Sequence, residues 1–308
     1  MVGAEGPAWS SSPSGSAESG RGAELPWAAA RTPRLPPVPA GGYVDANSYL
    51  GEWPTRRLNG SPPSRSQMAD ERLRLMDRLG IRRAAVALLD GVLLKDAGVA
   101  NAELHALVGR QLDRYFPLYT LNPTFPAWEE HLARCRDAYG LAPGRGAIRL
   151  YPAYQGYGLD DPRLDGALES LAGLDLPVVL TLQLEDARMH HPALHAPDVD
   201  AADALALVRR WPRLRWLLAG GSYRDVRAIG TELPKEARVW FDIARVQGPI
   251  DCIRLLCEEV GAGRLLFGTN LPFTVAESPI LELADARLAA AADAAVRYGN
   301  AREALGVD

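Results

Sequence analysis

Cysteine is scarce: Cys135, Cys252 and Cys257 are the only three, an odd number with no Cys-x-x-Cys spacing. Neither a disulfide framework nor a thiolate zinc site is indicated, and a reducing cytoplasm is the expected home. No run approaches the ~18 consecutive apolar residues of a membrane span. The first 20 residues lack a basic segment followed by an apolar one, so secretion is not expected either. An excess of positive charge is missing: 34 Lys and Arg stand against 38 Asp and Glu, a net charge of −4, and the arginines are scattered. A nucleic-acid partner is therefore not expected. No Gly-x-Gly-x-x-Gly follows the first apolar run and no phosphate-loop Gly-Lys-Ser/Thr occurs, so nucleotide cradling has no support.

What is present suits a globular chain, with 47% hydrophobic and 23% charged residues. Residues 1–41 are dense in Gly, Ser, Pro and Ala without a period of 2.0 or 3.6, and are expected to form a disordered tail. Residues 42–308 make the folded unit. Eight short apolar runs recur there: Tyr43–Leu50, Ala84–Leu89, Phe116–Leu121, Ala147–Tyr151, Val178–Gln183, Leu214–Leu218, Val239–Ile243 and Leu265–Gly268. Amphipathic stretches at 66–80, 101–112, 160–174, 201–211 and 249–260 separate them, and a final helix is expected over roughly 281–305. Strands alternating with helices in this way predict an α/β fold, a (β/α)8 TIM barrel, with an open doubly wound sheet as the alternative.

In such a barrel, functional groups belong at strand C-termini and in the loops after them. Strand four contains Arg149 within the apolar run IRLYP, and a buried guanidinium there must meet an anion. A substrate carboxylate or phosphate would serve, as would Glu185 or Asp186. Beyond strand five, LQLEDARMHHPALH over 182–195 places Glu185, Asp186, Arg188, His190, His191 and His195 within eleven positions, enough for general acid/base work or a metal site, or for a solvated loop. Tyr151, Tyr154 and Tyr157 are pocket candidates, or routine packing near the rim. Arg56 and Arg57 follow strand one and overhang the mouth, able to fix an acidic substrate or to stand as surface charges, while Asp242 and Arg245 at the end of strand seven are spaced to pair with each other or to complete the pocket.

Three motifs in order carry a resemblance. VDANSYLG at 44–51 resembles the first-strand VDxHxH motif of amidohydrolase-related barrels, the group that includes decarboxylases of the aminocarboxymuconate-semialdehyde type. RLLFGTNLPF at 264–273 is similar to their eighth-strand LLFGSDxPF, and YGNAREAL at 298–305 to their closing xxNAxxLL helix. The resemblance implies a TIM barrel and, in most members, a divalent metal held by two histidines on strand one, histidines on strands five and six, and an aspartate on strand eight. The matching positions here are Asn47, Tyr49, Thr181, Ala219 or Gly220, and Asn270. Amides and hydroxyls are weak donors for such an ion, so the usual metal site is expected to be lost and the cofactor is unknown.

Two readings follow. One is a divergent hydrolase or decarboxylase acting on a small carboxylated or cyclic metabolite, with Glu185, Asp186, His191 and Asn270 as catalytic candidates and Arg149, Asn47, Tyr49, Tyr154, Gln183 and Arg188 binding the substrate. The other is a non-catalytic barrel that binds a metabolite or a protein partner. An enzyme would gather Glu185, Asp186, Arg149 and His191 toward the barrel axis, whereas a relic would splay them into solvent. A homodimer is implied by the resemblance alone.

Overall fold

The computed structural model describes residues 35–56, 58 and 65–307. Residues 1–34 of the expected tail and Arg57 lie outside the described residues. Eight parallel strands run in the order β1 to β8: Tyr43–Leu50, Ile81–Leu88, Tyr115–Thr120, Ala147–Leu150, Val178–Thr181, Trp216–Ala219, Val239–Asp242 and Leu265–Leu266. The N–H of Ala46 bonds the carbonyl of Phe267 at 2.9 Å, and that of Tyr49 bonds Leu271 at 2.8 Å, so the chain after β7 returns to β1 and closes the ring. The expected (β/α)8 barrel is the fold.

Apart from Arg82 and Arg83 at the start of β2, both faces of the strands are buried, which is why they read as nearly continuous apolar runs. Val44, Ala85, Leu118, Ala147, Val179, Leu217, Trp240 and Leu266, one from each strand, pack together in the interior. Leu50, Val86, Tyr119, Ile148, Leu180, Leu218, Phe241 and Leu265 face the helices instead. The helices include Met68–Leu79, Gly98–Val108, Trp128–Asp137, Arg163–Gly173, Ala201–Arg210 and Tyr223–Gly230. Ser222 and Asp225 cap the last of these reciprocally, each side chain bonding the other's backbone N–H. No helix among the described residues is long and apolar enough to cross a membrane.

Two expectations need correction. The single closing helix over 281–305 is interrupted: Glu277–Asp285 ends before Arg287, which adopts a left-handed φ of 49°, and helical structure resumes at Ala290. The helix expected from 249 begins at Cys252, because Asp251 is also left-handed, at φ 63°.

Candidate functional site

Arg149 organises the upper interior of the barrel. Along β4, Ala147 faces inward and Ile148 outward, so strict alternation sends Arg149 to the interior, where it is fully buried. On β1 the alternation is shifted by an extra residue: Asp45 pairs with Ala84 and Ser48 with Val86, three steps against two. Asn47 and Tyr49 thereby both reach the guanidinium. Its Nη1 donates to Asn47 Oδ1 at 2.9 Å, Nη2 donates to the Tyr49 hydroxyl, and Nε donates to Thr181 Oγ1 at 3.0 Å. The rings of Tyr49 and Tyr151 lie 4.3 and 5.3 Å from its central carbon. These partners are neutral, and no ion pair joins Arg149 to Glu185, Asp186 or any other carboxylate among the described residues.

Asp242 ends β7 in the same layer, yet it does not pair with Arg245. Its Oδ2 accepts the Gly220 N–H at 2.7 Å and its Oδ1 the Ala244 N–H at 2.9 Å. Burial pushes its pKa up, opposed by those two amides, by Asn47 and by the charge of Arg149. Arg245 donates instead to Gln183 Oε1 at 2.5 Å.

Asn270 follows β8 with a left-handed φ of 50°, a conformation asparagine tolerates better than most residues. Its N–H bonds the Asn47 carbonyl at 2.7 Å, and its carboxamide reaches to the Leu184 carbonyl beyond β5 at 3.0 Å. Its Oδ1 is buried and has no hydrogen-bond partner. Thr269 beside it is fixed by Asp45, whose Oδ1 accepts the Thr269 N–H at 2.9 Å and the Asn47 N–H at 3.1 Å, while Oδ2 accepts the Thr269 hydroxyl at 2.6 Å. One buried carboxyl thus positions both asparagines.

Desolvation pushes the Asp45 carboxyl up to about 6 from an ordinary 3.8, more than its hydrogen bonds and Arg72 pull it down. The folded protein then binds a proton that the unfolded chain has released, so stability falls as pH rises from about 4 to 6 and the loss, about 3 kcal/mol, is constant above. Asp45→Asn can keep the two backbone N–H bonds and is expected to remove that component. The check is thermal melting from pH 4 to 8, in which the variant should gain on the wild type as pH rises; parallel curves would contradict it.

A strap crosses the mouth. Trp53 Nε1 donates to Glu185 Oε1 at 3.0 Å and Arg56 Nη2 to Oε2 at 2.8 Å. Trp53 and Arg56 follow β1 and Glu185 follows β5, which stand opposite each other on the eight-strand ring. Glu185 is only 2% exposed under this cover. Phe273 and Tyr154 extend it, with ring centroids 5.3 and 6.2 Å from Trp53, and Phe273 also meets Tyr49 edge-on at 5.8 Å.

The structure therefore joins Arg149, Asn47 and Tyr49 directly, attaches Asn270 through Asn47, and sets Glu185 and Tyr154 in the cover. Leu184 packs in the interior and the His190 ring meets Tyr154 edge-on at 6.2 Å, while Asp186, Arg188, His191 and Gln183 turn elsewhere. Asp186 and Arg188 pair with each other at 2.6 Å on the surface, which holds the Asp186 carboxyl well below the usual range. His191 is exposed, its Nδ1 accepting the Ala193 N–H at 3.2 Å. Gln183 donates to both oxygens of Asp198 at 2.7 Å. Thr181, Trp53, Phe273 and Asp45 belong to the site without having been candidate catalytic or binding residues. The sequence held signals for two of them: Asp45 lies in the VDANSYLG motif, and Trp53 precedes the twin arginines of the first loop.

At the positions that the resemblance gives to a metal, Asn47, Tyr49 and Thr181 are engaged with a guanidinium, Ala219 and Gly220 bring no side-chain donor, and Asn270 offers an amide. This donor set does not suit a divalent ion. Among the described residues, no group of three or more His, Cys, Asp or Glu could hold one. The cysteines are free, and Cys135 is buried away from the site, its thiol pushed up by burial to about 12.

A family model described as amidohydrolase matches residues 35–307. No curated protein sequence matches the chain. Among solved structures, 2,6-dihydroxybenzoate decarboxylase from Rhizobium is similar with a TM-score of 0.64 at 19% identity, covering 86% of this chain and 98% of that one. 5-Carboxyvanillate decarboxylase from Sphingomonas paucimobilis gives 0.66 at 15% identity, with 86% and 99% covered. A dihydroxybenzoic acid decarboxylase from Polaromonas, solved with manganese and the inhibitor 2-nitroresorcinol, gives 0.61 at 18% identity, with 86% and 97% covered. At these identities the structural likeness speaks for the fold.

Proposed function

Because the chain belongs to the amidohydrolase family, matched from residue 35 to residue 307, we propose that it is an enzyme acting on a small carboxylated, cyclic metabolite by decarboxylation or hydrolysis, without a divalent ion. The observation that carries the substrate class is Arg149. A fully buried guanidinium whose partners are all neutral leaves a charge that costs several kcal/mol to desolvate, and an anionic oxygen of a ligand offsets that cost. The aromatic cover of Trp53, Tyr154 and Phe273 supports a flat, cyclic partner. Aromatic acids of the kind named for the similar decarboxylases fit both features.

In this reading Arg149 also supplies fixed positive charge to the oxygen on which negative charge develops, a preorganised stabilisation that either reaction can use. Asn270 Oδ1 accepts a hydrogen bond from the substrate. Glu185 moves the proton, as the buried carboxyl of the cover. Free cysteines support a reducing compartment such as the cytoplasm as the setting.

A second reading, a binding barrel without catalysis, is favoured by the loop after β5: Asp186 and Arg188 neutralise each other, and His191 stands in solvent. The two are separated by treating the protein with a chelator and offering hydroxy-, amino- and unsubstituted benzoates, with calorimetry for binding and carbon dioxide release for turnover. Binding and turnover that survive chelation are expected. Turnover that appears only on adding manganese would overturn the metal-free part, and binding without turnover across the panel would favour the second reading.

A further inference from the structure

We propose that Asn47, Tyr49 and Thr181 form a receptor for a guanidinium ion, so that Arg149 is a tethered ligand supplying from within the chain the charge that a metal ion would otherwise bring. The proposal deepens the reading of Arg149 as the anion-binding group. Three oxygens from two opposite strands, β1 and β5, each meet a different nitrogen of one planar cation: Thr181 at Nε, Asn47 at Nη1 and Tyr49 at Nη2. A single-nitrogen ammonium cannot satisfy acceptors spread around a plane, and it is more strongly hydrated, so it is costlier to bury. The faces of the cation are served as well, by the rings of Tyr49 at 4.3 Å and Tyr151 at 5.3 Å. A divalent ion would find carboxamide, phenol and hydroxyl oxygens, none anionic and none an imidazole.

The cation keeps binding capacity after it is seated. A guanidinium has five N–H donors and three are used, which leaves one on each terminal nitrogen for a ligand oxygen. Asp242 is near enough for Arg149 to lower its pKa, yet it spends both oxygens on the Gly220 and Ala244 amides and forms no ion pair with the guanidinium. The charge is thus held firmly without a direct ion pair.

The test empties the receptor and refills it. Arg149→Ala removes the cation, and guanidinium chloride at about 1–20 mM, far below denaturing concentration, is added back, with methylammonium and manganese chloride in parallel. Melting temperature and benzoate affinity are read together. Guanidinium is expected to raise the melting temperature of the variant saturably, leave the wild type unmoved, and restore benzoate binding to within about tenfold of wild type. The doubly substituted Arg149→Ala, Thr181→Val protein should respond more weakly. No saturable response, an equal response to methylammonium, or a larger one to manganese would overturn the receptor. A guanidinium response in a protein that binds benzoate neither in wild-type nor in refilled form would uphold the receptor and sink the carboxylate reading instead. Should Arg149→Ala not fold, Arg149→Lys decides: it is expected to melt below the wild type, and equal melting overturns the proposal.

Discussion

Replacing Arg149 with methionine is expected to weaken carboxylate binding at least ~100-fold while changing stability by less than about 2 kcal/mol. The binding loss follows from two charge-assisted hydrogen bonds, each contributing about 1.5–3 kcal/mol, that the ligand can no longer make. The small stability change follows from opposing effects. Methionine forfeits three bonds to neutral oxygens and leaves Asn47 Oδ1 short of a donor, but it also relieves the burial of a guanidinium that no carboxylate neutralises. Asp242 loses the nearby cation that opposes the rise of its pKa. A structural arginine behaves differently: breaking a buried ion pair typically costs 3–5 kcal/mol. Calorimetry with benzoate beside thermal melting separates the two. A variant that melts far below the wild type and binds benzoate unchanged would make Arg149 a structural residue.

How far the site could be read in the sequence depended on what each signal was. Arg149 was legible because a cation inside an alternating apolar strand has to point inward or be anomalous, and β4 is regular. The closing of the barrel was legible from its ordered motifs, although β8 is only two residues long. The partners of Arg149 were not legible, since a charged partner at Glu185 or Asp186 satisfies the same electrostatic requirement as a ring of neutral oxygens. The bulge in β1 adds to this, because counting alternate residues from Val44 sends Ala46 inward and leaves Asn47 out. The loop after β5 misled in the opposite direction. Its density of acids and imidazoles says nothing about which way they face, and Asp186 needs only the backbone and side chain of Arg188, two residues on, to be satisfied at the surface. Glu185, its neighbour, is drawn under the strap by two donors more than 120 residues away in sequence, a contact no local pattern encodes.

That contact leads to the second large effect. Glu185→Ala is expected to cost about 2–3 kcal/mol, a fall in melting temperature of about 4–6 °C, and to free the segment around Trp53 and Arg56. The indole N–H of Trp53 is buried and loses its acceptor, and Arg56 loses its anion, so the strap keeps only the ring contacts to Phe273 and Tyr154. Glu185→Gln should be far milder. Its carbonyl still accepts from Trp53, and the forfeited ion pair involves an Arg56 side chain that is 31% exposed, where solvent limits the loss to less than about 1 kcal/mol. Hydrogen exchange over residues 51–56 reports the strap directly: fast in the alanine variant, near wild type in the glutamine variant. Ligand dissociation should quicken in the same order, because the strap spans the mouth from the β1 side to the β5 side and a ligand on Arg149 leaves past it. Unchanged exchange in Glu185→Ala would mean that the aromatic contacts alone hold the cover.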